Sequence, residues 1–185
     1  MENIELQIER MDDVSILNDF YCGIKEFDEF IHSGEFEENI LLKLSVPYSV
    51  KKNGELVAFF SLACDSLLLE DDYKEDFSDE KAILDDSFGE HVKKFMSKQY
   101  YPALDISYLC VKNDFRGKHY GKAIVDRILD FAIEVSEKIG LLFLVVDAFH
   151  DSINQYSTVN FYSNCGFVRC SELKGNTIRM YKTIF

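Results

Sequence analysis

Tryptophan is absent from this chain, proline appears twice, and no two of the five cysteines form a Cys-x-x-Cys pair. With so little proline and no long Gly/Ser run, nothing reads as an interdomain linker. Cys22, Cys64, Cys110, Cys165 and Cys170 are odd in number and scattered, which argues against a disulfide framework and fits free thiols in a reducing cytoplasm. The longest apolar runs, such as Leu141 to Val146, are far too short to span a bilayer. The charged and polar first residues do not read as a secretory leader. A cytoplasmic protein with no membrane partner is expected. Basic residues are scarce: 20 Lys and Arg face 33 Asp and Glu, for a net charge of −13. Such a balance disfavours nucleic acid as a partner without excluding a local basic cleft. His32, His91, His119 and His150 show no ligand spacing, so no metal is expected.

What is present is apolar and aromatic. Of the 185 residues 47% are hydrophobic, with sixteen Phe and ten Tyr, enough for a real core built largely from rings. The length suits one domain over 1–185 with an insertion. That insertion, near 65–90, holds eleven acidic residues and two lysines and carries most of the net charge. It reads as a solvated loop or helix, or as a surface that repels polyanions and attracts a basic peptide.

The order of elements follows from periodicity. Ile4, Leu6 and Ile8 alternate as in a strand, and Asp12 is placed to cap a following helix. Ile24, Phe27, Phe30, Ile31 and Phe36 share one face of a helix from Lys25 through Asn39. Val46 to Lys52 and Glu55 to Cys64 flank Asn53-Gly54, a strong hairpin signal. Phe88 to Met96 reads as helix, broken by Tyr101-Pro102-Ala103 before a strand over Ile106 to Val111. A helix from Lys122 ends at Gly140, and Leu141 to Val146 is apolar on both faces, as a central parallel strand requires. Strand, helix and strand together imply a right-handed crossover. A helix from about Ser152 to Ser163 precedes a last hairpin, Phe167 to Arg169 and Thr177 to Thr183, around Lys174-Gly175-Asn176.

The segment Val111 to Val125 carries the chemistry. A strand runs into a turn holding Arg116, Gly117 and Gly121, and an amphipathic helix starts at once. Backbone N–H groups at a helix start lack intrahelical acceptors and lie at the positive end of the dipole. Glycine allows close approach, and Arg116, Lys118 and Lys122 add positive charge. This is the composition of a pyrophosphate cradle.

Arg116-Gly117-Lys118-His119-Tyr120-Gly121 resembles motif A of the GCN5-related N-acetyltransferases (GNAT), Gln/Arg-x-x-Gly-x-Gly/Ala, with His119 in place of the middle glycine. About forty residues downstream, Asn160-Phe161-Tyr162-Ser163-Asn164-Cys165-Gly166-Phe167 resembles that family's Phe/Leu-Tyr-x-x-x-Gly-Phe segment. A narrower resemblance, to the subgroup of toxin acetyltransferases that modify aminoacyl-tRNA, rests on three segments. They are Phe20-Tyr21-Cys22-Gly23 with Phe27-Asp28-Glu29-Phe30-Ile31, Tyr101-Pro102-Ala103-Leu104, and Val146-Asp147-Ala148.

The resemblance implies an α/β protein with the GNAT acyl-CoA N-acyltransferase fold: about seven strands, flanking helices and a splayed central parallel pair. It implies acetyl-coenzyme A as co-substrate and direct acetyl transfer to a primary amine on a small molecule, peptide or protein. A homodimer is left open. The alternatives are a toxin acting on aminoacyl-tRNA and a non-catalytic coenzyme A-binding or partner-binding module. By position, the amides of Arg116, Gly117, Lys118, His119, Gly121 and Lys122 would hold the pyrophosphate. Leu109 and Val111 would offer backbone groups to the pantetheine while their side chains pack. Tyr162 would protonate the leaving thiolate. His119 either points outward, contacts phosphate or crowds it. Asp105, Tyr108 and Asp147 are candidates for a base, beside a water relay. Gln155 and Thr158 depart from the family's usual Asn and Ala. Cys110, without a histidine partner, reads as a core thiol.

Overall fold

The computed structural model describes residues 5–84, 86–153 and 155–184, with side chains throughout except over 78–90. Ile4 of the expected first strand, Asp85, and the acidic side chains of 78–90 therefore lie outside the described residues. The chain divides into two compact units, one built from 1–64 and 105–131, the other from 65–104 and 132–185.

In the first unit β1 (Gln7–Arg10) pairs antiparallel with β2 (Val46–Lys52), and β2 with β3 (Glu55–Leu68). The turn between β2 and β3 is the expected one, with φ of 51° at Asn53 and 82° at Gly54. The capped helix after β1 is a single 3-10 turn, Val14–Leu17, and its cap is Asp13 rather than Asp12: Ser15 N–H donates to Asp13 Oδ1 at 2.8 Å. The long helix expected from Lys25 is two helices, α1 (Lys25–His32) and α2 (Glu35–Leu41), separated by Gly34 in the left-handed region. The break turns Phe36 inward. Phe36 and Phe20 each meet Phe59 of β3 edge-on, with centroids 5.3 and 5.2 Å apart, beside buried Met11, Leu17, Cys22 and Cys110.

In the second unit the acidic segment is structural. β3 continues to Leu68, and α3 (Asp71–Leu84) and α4 (Asp86–Met96) form the helical connection to β4 (Tyr100–Val111). Leu67, Leu69 and Phe77 of that segment are buried with Phe95, Tyr101, Phe143, Val145 and Tyr181. Phe77 stacks on Phe95 at 4.9 Å and meets Phe143 edge-on at 5.4 Å. Asp71, Asp72, Glu75 and Asp76 thus lie exposed while Phe77 and Phe95 anchor the helices, so the segment is more than a solvated loop. Tyr101-Pro102-Ala103 does not break the chain before the strand but belongs to β4, where the Pro102 carbonyl accepts from Leu142 N–H at 3.0 Å. Extended φ suits proline, and only its missing donor is a constraint.

After β4 come α5 (Tyr120–Ser136) and β5 (Phe143–Asp151), then the two-residue β6 (Tyr156–Ser157), α6 (Val159–Asn164), β7 (Val168–Arg169) and β8 (Thr177–Thr183). The helix expected from Ser152 starts seven residues later. Ile153 N–H donates to Asp151 Oδ1 at 2.8 Å, and this side-chain turn folds the strand back on itself instead. Among the described residues there are eight strands rather than about seven, and their hydrogen-bonded order is β1-β2-β3-β4-β5-β8-β7 with β6 on β5. The sheet is mixed: β4 and β5 are the parallel pair, and β8 runs antiparallel to both β5 and β7. Four cysteines are buried and Cys64 is exposed. Among the described residues no helix is long and apolar enough to cross a membrane.

Two outcomes follow. Phe77→Ala removes the ring that joins the helical connection to β5, and chemical denaturation should show a loss of about 3–5 kcal/mol. Burial pushes the Cys170 thiol from 9.0 up to about 12. A raised folded value means stability is kept below pH 9 and falls as the pH rises towards 12, so Cys170→Ala should flatten that part of the alkaline unfolding curve.

Candidate active site

The first unit contains the cradle. β4 delivers Leu109 and Val111, both partly buried, on either side of the buried Cys110. Lys112 N–H bonds the Val57 carbonyl at 2.9 Å, keeping the strand's end against β3. A 3-10 turn, Asn113–Phe115, then reverses the chain through bonds from Phe115 N–H to Lys112 (2.9 Å) and from Arg116 N–H to Asn113 (3.1 Å). Gly117 follows at φ 71°, and a β-carbon built there would meet nothing within 4 Å. His119 is exposed and left-handed too, at φ 63°. The middle position of the motif therefore favours glycine for its backbone angle, and histidine holds that angle at a cost.

α5 begins at Tyr120, and its first rung is Ala123 N–H to the His119 carbonyl at 3.1 Å. The N–H groups of Tyr120, Gly121 and Lys122 precede that rung, at the positive end of a 17-residue helix. Cations surround them, each already engaged. Arg116 Nη1 donates to the Cys22 carbonyl at 3.2 Å, and Lys118 Nζ to the Asp114 carbonyl at 2.8 Å. Lys122 faces Asp126 at 3.7 Å, and Lys52 Nζ donates to Tyr120 Oη at 2.9 Å. Exposed pairs such as Lys122–Asp126 are worth about 1 kcal/mol or less, so an arriving dianion competes for the lysine readily. Lys52 carries no motif signal in the sequence. It reaches the helix start because β2 ends there.

Tyr162 belongs to the second unit, on the one-and-a-half-turn helix α6. The helix closes in a Schellman arrangement: Gly166 N–H to Ser163 at 2.9 Å and Phe167 N–H to Tyr162 at 3.0 Å, with Gly166 left-handed. Lys182 Nζ caps the Cys165 carbonyl at 2.7 Å. The Tyr162 ring is 6% exposed and lies edge-on to Phe161 and Phe167, at 4.9 and 5.4 Å. The Asn-Cys-Gly-Phe run is therefore a helix stop that fixes the tyrosine one turn earlier. Gln155 is exposed and left-handed, and Thr158 Oγ1 bonds the Phe149 carbonyl at 3.2 Å.

The candidates for a base fare differently. Tyr108 stacks on Phe30 at 4.3 Å, and burial, then the nearby Cys110, Glu35 and Asp105, raise its phenol above the usual range. It stays protonated at neutral pH, which does not suit a base. Asp147 is paired with Arg179 Nη1 at 3.1 Å, and Arg179 also bonds Asp65. Asp105 accepts from Ser107 Oγ at 2.7 Å. The Cys110 thiol is held well above its ordinary value, first by its hydrogen bond with Cys22 and then by burial, as a core thiol should be.

The family described as acetyltransferase (GNAT) domain matches residues 81–169. Several solved structures share the fold. A tyrosine-to-phenylalanine variant of KacT is 15% identical with a TM-score of 0.68, over 97% of this chain and 95% of that one. AtaTR bound with acetyl-coenzyme A is 16% identical with a TM-score of 0.65, over 97% and 93%. AtaT complexed with acetyl-methionyl-tRNAfMet is 16% identical with a TM-score of 0.66, over 97% and 95%. No curated protein sequence matches the chain.

His119→Gly tests the reading of the cradle's backbone. A left-handed side-chain residue costs about 1–2 kcal/mol, and glycine's extra unfolded-state freedom takes back roughly half. Thermal denaturation should show a gain of about 0.5–1 kcal/mol, and His119→Val, with a branched β-carbon, a loss.

Proposed function

We propose that this chain, whose residues 81–169 match the acetyltransferase (GNAT) domain, transfers an acetyl group from acetyl-coenzyme A to a primary amine. The observation that supports this best is the start of α5, where three N–H groups face no intrahelical acceptor behind an open left-handed turn. Those donors, with Lys118 and Lys122 beside them, fit a pyrophosphate. Acetyl-coenzyme A supplies the acetyl group as a thioester.

The chain's own residues then have separate tasks. The amides from Gly117 to Lys122 bind and orient the anion, the Arg116 amide being already bonded to the Asn113 carbonyl. Leu109 and Val111 offer backbone groups to the amides of the pantetheine. Tyr162 Oη holds the proton that goes to the departing sulfur, and its rigid setting between Phe161 and Phe167 limits the cost of aiming it. Direct transfer needs no acyl-enzyme, which agrees with Cys110 being buried and poorly ionised. Aminolysis requires the acceptor nitrogen unprotonated, and with Tyr108 held neutral a water relay is the simplest route for that proton.

A second reading keeps this reaction and makes the acceptor an aminoacyl-tRNA. It is favoured by the fold shared with AtaT, which has been solved with acetyl-methionyl-tRNAfMet. The net charge of −13 weighs towards a cationic amine or basic peptide instead. One assay, with amines, basic peptides and charged tRNA as acceptors, separates the two.

Calorimetry should detect binding of acetyl-coenzyme A, and its absence at millimolar cofactor would remove the proposal. Tyr162→Phe should keep cofactor affinity while lowering kcat by about 100-fold or more, the scale of a lost general acid. Unchanged turnover would refute the role given to Tyr162.

A further inference from the structure

The loop Phe20–Gly23 has no regular structure, yet five of its backbone groups are bonded by side chains or by the cradle. On one side α1 holds it. Asp28 Oδ1 accepts from Cys22 N–H at 2.8 Å, Asp28 Oδ2 accepts from Gly23 N–H at 3.1 Å, and His32 Nε2 lies 3.1 Å from the Phe20 carbonyl. On the other side the cradle rests on it. Asn113 N–H donates to the Tyr21 carbonyl at 3.1 Å, and Arg116 Nη1 to the Cys22 carbonyl at 3.2 Å.

The fit is close. Gly23 is left-handed at φ 79°, and a β-carbon there would stand 3.1 Å from Asn113 Oδ1. Phe20 and Cys22, buried in the core of the first unit, pin the loop from below. Asp28 is the only charged group among the α1 contacts to this loop that accepts two amides at once. Two N–H donors converging on one carboxylate make charge-assisted bonds, stronger than neutral ones.

We propose that Asp28 is a positioning residue for cofactor binding: it fixes loop 21–23, and the loop fixes the entry of the cradle at Asn113 and Arg116. The proposal rests on the cradle being the cofactor site. Asp28 itself reaches neither the amides of α5 nor the turn at Gly117; it acts through Tyr21 and Cys22. Without the carboxylate, the loop keeps its buried anchors but loses the bonds that set the heights of the two carbonyls. The turn from Asn113 to Arg116 then samples more orientations, and the amides that follow it are less often aimed together.

Asp28→Asn is nearly isosteric and replaces one acceptor by a donor. With no cofactor present, amide hydrogen exchange at Cys22, Gly23 and Asn113 should accelerate about tenfold or more, while Val145 and Met180 in the β5–β8 pair are unaffected. In the transfer assay the KM for acetyl-coenzyme A should rise about tenfold with kcat at saturation nearly unchanged, the signature of lost binding rather than lost chemistry. Glu29→Gln, an exposed neighbour on the same helix, should do neither. If Asp28→Asn does not fold, Arg116→Gln cuts the same chain of bonds from the other end and should raise exchange at Cys22 and Asn113. Where both fold, the double variant should cost less than the sum of the singles.

Unchanged exchange in Asp28→Asn overturns the clip. Faster exchange with an unchanged KM overturns its role in cofactor binding. If the parent protein binds no acetyl-coenzyme A, the cofactor reading falls and takes the role with it. The exchange data, collected without cofactor, keep that failure distinct from failure of the clip.

Discussion

A helix cannot satisfy its own first amides, and this deficit at Tyr120, Gly121 and Lys122 is the constraint around which the first unit is arranged. Four of the amides before them are bonded: Lys112 to β3, Asn113 to the loop at Tyr21, Phe115 and Arg116 back onto the 3-10 turn. Only then does the chain release its donors. A turn that left its earlier amides loose would spread the same positive potential over many orientations. By bonding Lys112, Asn113, Phe115 and Arg116, the fold holds the approach to the helix in one orientation, so hydrogen bonding elsewhere is what gives the helix start its direction.

The two units solve the problem of a tryptophan-free core in the same way. Each sets rings edge-on to a strand phenylalanine, Phe59 in one and Phe143 in the other, and draws one of those rings, Phe36 or Phe77, from a helix. Gly34 splits the long helix so that Phe36 can turn in. The acidic connection between β3 and β4 contributes Phe77 in the same manner. Rings reach far for their cost in side-chain entropy, which suits helices anchored by few contacts. Asp71, Asp72, Glu75 and Asp76 of α3 stay in water while Phe77 goes in, so one helix can carry charge and still belong to the core.

Elements with strong local signals were legible in the sequence: β2, the Asn53-Gly54 turn, the strand-to-helix turn between Val111 and Val125, and α5. Each is decided by its own residues, through turn chemistry, helix period or capping. The misread elements were decided by partners distant in sequence or by a side chain. Pro102 looked like a break, yet extended geometry accommodates it. The stretch from Ser152 read as the start of a helix, yet the Asp151 carboxylate captured the Ile153 amide and ended the strand in a turn. His119 looked like a missing glycine that bears on the ligand, whereas its first consequence is conformational. Nothing in the spacing of Asp28 announced that it would hold Cys22 and Gly23, because that link depends on where a loop returns. Lys52 reached Tyr120 for the same reason.

The rings also have a spectroscopic consequence. With no indole to dominate the near-ultraviolet, the signal belongs to tyrosines, and these are divided between the units. Tyr108 and Tyr120 sit in the packed parts of the first, Tyr101 and Tyr181 in the core of the second. Each unit therefore carries its own native chromophores. Replacing one set by phenylalanine leaves the other to report alone, so the cooperativity of the whole chain can be followed one unit at a time without a foreign label.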